Sequence, residues 1–321
     1  ASVPPLVLLV ASSMSRSSLL SRARDRRPPQ ERRPTFHLGL VTALALLITG
    51  FVTAGGGSGP PEALASVVHQ TGFEATVAGW TSWYGSYGLG ALGWGWCIDH
   101  GIPAPDAAYG YVPISIDAET DGDAQAAMAW AATMYQPTTS IEAAAIMLVQ
   151  HDLRRAVYPT GTLDVDALSV RNLAGFGGAE GAVLERARAI KADARAHAHL
   201  RAPFALTFHL VPADPGVETV GWAVLTDANG AAVSGAPVTV QSNGAPFTSP
   251  TTGVTTADGS MGFTFLPTLG VNQFRAAADV ADPVPRLFGP TTVRAQRIIQ
   301  PRSYRAEGEV HFELTPPTTL P

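Results

Sequence analysis

The run GWGWCIDHG, residues 93–101, carries Cys97, the only cysteine in 321 residues. An unpaired cysteine is a buried inert thiol, an intermolecular disulfide, a nucleophile, or half of some other covalent bond. Each reading requires a different companion. A cysteine hydrolase needs an imidazole to take the thiol proton and a third group to orient that imidazole. His100 lies three residues on, His151 stands beside Asp152, and His69 precedes both. None sits in a local catalytic signature, and core or solvent-facing histidines are the simpler account of each. His197 and His199 alternate at a helix end, but one cysteine and scattered histidines do not supply the clustered ligands of a zinc site. No metal and no cofactor is therefore expected. The remaining chemistry is an internal thioester, in which the thiol displaces ammonia from a glutamine side chain. Such a bond is an activated acyl group, stable while buried and open to attack by an amine.

Around the cysteine, Trp80, Trp83, Tyr84, Tyr87, Trp94 and Trp96 alternate with glycine and serine. That pattern predicts short strands and tight turns. Trp80, Trp83, Tyr84 and Tyr87 are candidates to line a groove for a carbohydrate or peptide, since exposed aromatics offer large contact area at low entropic cost. The competing reading, favoured by the tight glycine spacing, makes them the core of a small β-rich unit.

The elements that must position these residues divide into two parts. In residues 62–200, Asp123 is a candidate N-cap for a helix over AQAAMAWAATMY, residues 124–135. Thr139 with Glu142 forms a capping box opening IEAAAIMLVQHDLRRAV. A third helix runs from about 179 to 198, with Val183, Ala187, Ile190 and Ala194 on one face. A strand-rich start with a helical remainder reads as an α+β domain. From Arg201 to residue 314 the pattern changes to alternation: ALTFHLVP, GWAVLTD, APVTVQS, GFTFLP, NQFRAAADV, TVRAQRII and EVHFEL. Asn229-Gly230 and Asp258-Gly259 are hairpin-type turns. Seven short strands predict a β-sandwich.

Charge and the termini bound the setting. Residues 1–35 hold seven arginines against Asp25 and Glu31; setting these aside leaves 14 basic and 24 acidic side chains. An acidic remainder argues against nucleic acid, which requires basic patches. The chain has a single lysine, Lys191. HLGLVTALALLITGFVTAGGG, residues 37–57, is an apolar run behind a basic flank, and Val52-Thr53-Ala54 has the small-x-small pattern of a signal-peptidase site. Residues 1–54 thus read as a signal peptide with upstream residues, Met14 being its more conventional start, and 55–61 as a Gly/Pro linker. A retained membrane anchor is the alternative. The Thr/Pro tract from residue 315 to 321 reads as the start of a stalk, with membrane or wall attachment expected through a segment beyond it.

Trp96-Cys97-Ile98-Asp99 resembles the aromatic-Cys-aliphatic-acid motif of thioester domains in Gram-positive surface adhesins, the likeness covering roughly residues 72–200. That family's Thr-Gln-x-Ala motif falls on the capped helix, matching at Ala145 and Ile146. Glu142 then stands where threonine is expected and Ala143 where the acyl glutamine is expected. On this alignment no thioester forms through position 143. Gln150, two turns on, is the nearest substitute, with Gln136 and Gln125 further candidates. TDANGAAVSGAPVTVQSNG and TTADGSMGFTF resemble bacterial immunoglobulin-like repeats of invasin-type surface proteins, with Asp227, Asn229, Gly230, Gly235, Pro237, Val238, Asp258 and Gly259 in the turn and strand positions. The resemblances imply an α+β head followed by an all-β immunoglobulin-like sandwich, exported to the surface of a Gram-positive, actinobacterial cell. They imply adhesion to a host or neighbouring-cell surface protein or glycan, covalent or not, rather than an enzyme. The alternatives are a secreted hydrolase using Cys97 with His100 or His151, and a purely structural wall protein.

Overall fold

The computed structural model describes residues 64, 66–115, 121–156 and 163–316. The expected signal peptide, the 55–61 linker and most of the Thr/Pro tract lie outside the described residues. The chain is a mixed α/β structure with antiparallel strand pairs and, among the described residues, three α-helices.

The first part contains β1 (Val68–Val77), β2 (Trp80–Gly88), β3 (Trp94–Cys97), β4 (Tyr111–Ile114), α1 (Gly122–Met134), α2 (Ser140–Leu153), β5 (Leu173–Ala174) and α3 (Glu180–Ala196). The helix starts follow the sequence with two corrections. Asp121, not Asp123, caps α1, its carboxylate accepting from the Asp123 N–H at 3.0 Å; Asp123 instead pairs with Arg201. Thr139 caps α2 by accepting from the Glu142 N–H at 3.1 Å. Glu142 does not reach back to close a box, because Arg186 on α3 takes both its oxygens at 2.6 and 2.7 Å. From Ala143 to Leu153 every residue of α2 is buried. A helix covered on all sides lies at the centre of its packing unit, and α2 packs against α1, α3 and the strands β1 to β3. α3 is amphipathic, with Val183, Ala187, Ile190 and Ala194 buried as their spacing predicts.

The second part runs β6 (Ala205–Leu210), β7 (Thr219–Thr226), β8 (Pro237–Asn243), β9 (Thr252–Val254), β10 (Ser260–Phe265), β11 (Gly270–Ala281), β12 (Arg286–Pro290), β13 (Ile298–Gln300) and β14 (Ser303–Leu314). Two sheets, ordered β10-β7-β6 and β14-β11-β8-β9, are bridged by a phenylalanine cluster. Phe274 of β11 meets Phe263 and Phe265 of β10 at 5.6 and 4.7 Å and Phe208 of β6 at 6.4 Å. Such aromatic pairs add about 0.5–1.5 kcal/mol each beyond the area they bury.

TVRAQRII departs from its expected place. Its strand, β13, leaves the second part with β12 and joins the first, giving a seven-stranded sheet ordered β4-β12-β13-β3-β2-β1-β5. Ile298 and Ile299 are both fully buried, so this short strand needs cover on both faces. Alternation in the sequence signals a strand and says nothing of which sheet receives it. Residues 282–302 therefore form an excursion between β11 and β14 that delivers a strand alongside Cys97.

Candidate site around Cys97

Cys97 ends β3 and is fully buried. On one side lies β2, paired through Tyr87 with Gly95; on the other lies β13, with Ile298 directly opposite Cys97. The close approach of β1 and β2 depends on paired glycines: a Cβ on Gly85 would stand 2.2 Å from the Thr71 carbonyl oxygen, and one on Gly72 2.4 Å from that of Tyr84. This accounts for the glycine spacing among the aromatics.

Burial pushes the Cys97 thiol well above its ordinary pKa; the neighbouring Tyr87 hydroxyl works the other way, and the Asp99 charge adds to the rise. No histidine is among the groups acting on the thiol. His100 Nδ1 lies 3.4 Å from the Tyr84 hydroxyl, and His151 is a buried neighbour of His100, their ring centroids 5.5 Å apart. Burial lowers the pKa of both imidazoles, His151 strongly, with His100 and Arg154 adding to its shift. The arrangement is a neutral thiol in a dry core, not a thiolate–imidazolium pair.

Asp99 is the fixed point of the site. Its carboxylate forms an ion pair with Arg154, whose Nε is 2.5 Å away, and accepts from Arg297 Nε and Nη2 at 3.0 and 2.7 Å and from the Arg297 backbone N–H at 2.8 Å. It thereby ties the end of β3 to the end of α2 and to the approach to β13.

The glutamines separate clearly. Gln150 is buried on α2, and its amide donates to the Met128 carbonyl of α1 at 2.9 Å. Gln136 is exposed and Gln125 half-buried on α1. Ala143 is fully buried against the core. Gln296 was not among the candidates read from the sequence, yet it lies beside Cys97. The Ile98 N–H bonds the Arg297 carbonyl at 3.0 Å, continuing the β3–β13 pairing one residue past Cys97. Ile298 lies opposite Cys97, and a strand's two-residue alternation continued past the start of β13 would place Gln296 diagonal to Cys97 on the same face. The same place is fixed independently by Tyr111, whose hydroxyl donates to the Gln296 backbone carbonyl at 2.7 Å and whose pKa is raised by burial and then by Cys97. Gln296 is 1% exposed; its Nε2 donates to the Ile102 carbonyl at 2.9 Å, and its Oε1 is buried with no hydrogen-bond partner.

The aromatic groove does not form from its four candidates. Tyr84 and Tyr87 are fully buried, while Trp80 and Trp83 are half-buried. Tyr84 packs with Phe176 and His151, and Trp83 stacks with His69 at 4.5 Å. The two tyrosines belong to the core because neighbouring strands and α2 close over them. Among the described residues, no cluster of three or more His, Cys, Asp or Glu side chains has the spacing to hold a metal.

No protein-family model and no curated protein sequence matches the chain. Among solved structures, the thioester domain of the Enterococcus faecium TIE86 protein is similar at 12% identity and a TM-score of 0.33, covering 80% of this chain and 98% of that one. The Bacillus anthracis TIE protein is similar at 11% identity and a TM-score of 0.31, covering 79% of this chain; the chain spans about half of that protein's length, 48%. The functional reading rests on the residues above and not on these likenesses.

Proposed function

We propose that this is an exported surface adhesin whose head joins Cys97 Sγ to the side-chain carbonyl carbon of Gln296 in an internal thioester, and transfers that acyl group to a primary amine on a host or neighbouring-cell surface. The carrying observation is a fully buried thiol on the strand paired with β13 and, two residues before β13, a buried, partly unsatisfied glutamine amide. An orphaned buried acceptor costs about 1–3 kcal/mol, and covalent attack at its carbon removes the amide. In the first step the Cys97 S–H adds to the Gln296 carbonyl, the C–N bond breaks, and the amide nitrogen leaves with the thiol proton as ammonia. In the second an amine attacks the same carbon, the C–S bond breaks, and the thiol is restored as the new amide forms. Tyr87 lies beside the sulfur and Tyr111 holds the Gln296 backbone, while the Asp99 clamp keeps the two strand ends in register. Holding reactants in place in this way lowers the barrier by removing orientational freedom in advance. Dryness protects the bond from water until an amine reaches it.

The immunoglobulin-like second part is a spacer in this reading, and neither cofactor nor nucleic acid takes part. Among the described residues no helix is long and apolar enough to cross a membrane. The test is the intact mass of residues 55–321 before and after methylamine. A mass short by one ammonia that rises by one methylamine, mapped to the peptide of Gln296, supports the proposal. A full mass, with a thiol that alkylates only on unfolding, leaves Cys97 a buried packing residue and the head a non-covalent binder.

A further inference from the structure

Apart from Cys97, a second group of reactive side chains gathers where the end of α3 meets the loop before β8. His197 follows the last turn of α3 and is buried. Its Nδ1 lies 2.8 Å from the backbone carbonyl of Asp193 and 3.3 Å from Asp193 Oδ1. The carbonyl only accepts, so Nδ1 carries the proton of the neutral ring and Nε2 the lone pair. Burial opposes protonation of the ring, but its bonds to Asp193 outweigh that and raise the His197 pKa; Ser234 Oγ is 3.0 Å from Nε2, and its hydroxyl donates to the imidazole in the neutral form.

Asp193 is anchored in turn. Trp130 Nε1 and the Tyr135 hydroxyl both donate to its Oδ2 at 2.7 Å. Burial opposes ionisation of this carboxyl, but the bonds from His197, Tyr135 and Trp130 outweigh it and hold the pKa at about 2. The Trp130 indole lies flat on the His197 ring, with centroids 3.8 Å apart and planes 5° apart, so the imidazole has no room to swing. A histidine that only closes a helix end needs the Asp193 carbonyl and nothing more. Here a carboxylate with two further donors stands on one side of the ring and a hydroxyl on the other. That is the order nucleophile, base, orienting acid, each within hydrogen-bond reach of the next. Asp193 and Gly235, the residue after Ser234, line a cleft of ≈ 540 Å³ whose walls mix apolar Trp130 and Val254 with polar Gln136 and Asp279, a size suited to a small organic ligand.

We propose that Ser234, His197 and Asp193 are the catalytic residues of a serine esterase centre that takes small esters from the adjoining cleft. Ser234 Oγ attacks the ester carbonyl carbon while its proton passes to His197 Nε2. The ester C–O bond breaks and the alcohol leaves with that proton. Water then attacks the acyl-serine, giving a proton to Nε2; the Oγ–acyl bond breaks, the carboxylic acid departs, and Ser234 regains the proton. Asp193 stays ionised and stabilises the imidazolium. Ser234 is half-buried and within reach of a ligand. The centre is independent of the thioester and stands or falls apart from it.

The test uses the full chain with p-nitrophenyl butyrate and a fluorophosphonate probe, followed by peptide mapping. Label on the Ser234 peptide is expected, with ester hydrolysis that rises with pH as His197 loses its proton. Ser234→Ala should reduce hydrolysis by about 10³-fold or more while circular dichroism stays unchanged. Absence of label and hydrolysis in the folded protein overturns the proposal, as does hydrolysis that survives intact in Ser234→Ala. Should that variant not fold, the site of labelling in the unaltered chain decides alone. Label found on the Cys97 peptide instead of Ser234 also overturns it, whatever the outcome with methylamine.

Discussion

Asp99 and Arg297 are 198 residues apart in sequence and share three hydrogen bonds, two through the guanidinium and one through the Arg297 backbone N–H. Arg154 closes the same carboxylate from α2. Removing the acid strands two buried or half-buried cations, and breaking such a pair costs about 3–5 kcal/mol. Asp99→Ala is therefore expected to lower the urea midpoint by that equivalent. Asp99→Asn keeps the shape and part of the bonding, and should fold with less loss. Both should show reduced thioester occupancy by intact mass, since β13 is no longer pinned beside Cys97. Unaltered occupancy in a folded Asp99→Asn protein would separate the clamp from the chemistry.

Gln296 and Gln150 are both buried, and they answer differently to the same change. Gln296→Ala forfeits one hydrogen bond to Ile102, about 1 kcal/mol, and should abolish both the ammonia-deficient mass and the methylamine adduct. Gln150→Ala removes the bond to Met128 of α1 and should lower stability while leaving the adduct in place. Reversal of these two results would move the acyl group to α2.

How far the sequence reaches is plain at these residues. Thr139 announces α2, the four-three-four spacing of Val183, Ala187, Ile190 and Ala194 announces α3, and six of the seven alternating runs become strands of the second part. Local pattern suffices there because each depends on its own neighbours. The proposed acyl partner is out of the sequence's reach for the opposite reason. Gln296 belongs to a run whose alternation fits either sheet, and only pairing across nearly 200 residues brings it to Cys97. Glu142 shows the same limit on a smaller scale: a partner on α3, not the local cap, takes its carboxylate. Long-range ion pairs leave no periodic trace.

His151 predicts an acid sensitivity with a definite sign. Its pKa lies well below 6.5 in the folded chain, first through burial and then through the charges of His100 and Arg154, and neither ring nitrogen has a hydrogen-bond partner. The groups around it are His100 and Tyr84, with Arg154 and Asp99 beyond. Unfolded chains take up the proton that the folded core refuses, so stability present above pH 6.5 declines as pH falls below it. His100, shifted the same way, contributes in the same direction. His151→Phe should flatten the fall in urea midpoint between pH 6.5 and 5 without abolishing it. An unchanged slope would mean that other groups carry the acid response.

Lys191 is the only lysine, and its Nζ is held 2.7 Å from Asp152 and 2.6 Å from Asp166, out of reach of solvent. The other cationic side chains are arginines, which stay protonated and do not attack acyl groups. The proposed thioester head therefore offers its own copies no accessible lysine amine. Concentrated protein should therefore remain free of covalent oligomers on denaturing gels, whereas Arg305→Lys, at an exposed position on β14, should form them slowly. Cross-linking of the unaltered chain through Lys191 would contradict the ion-pair geometry.

Gly85 tests whether the sheet must be this tight for the site to work. A methyl group there meets the Thr71 carbonyl oxygen at 2.2 Å and the Gly72 Cα at 2.6 Å, both backbone atoms that no side-chain rotation can clear. Gly85→Ala must therefore push β1 from β2, and overpacking of this kind costs about 1–3 kcal/mol. The same strand carries Tyr87 two residues on, whose hydroxyl neighbours the Cys97 thiol. Gly79 supplies the control, since its turn leaves open space where a Cβ would go although its φ of +85° disfavours a side chain. Gly79→Ala should cost stability through backbone strain at the hairpin and leave the mass deficit of the thioester intact. Gly85→Ala should lose stability and also expose Cys97 to alkylation in the folded state. Equal protection of the thiol in both variants would show that β2 can move without disturbing Cys97.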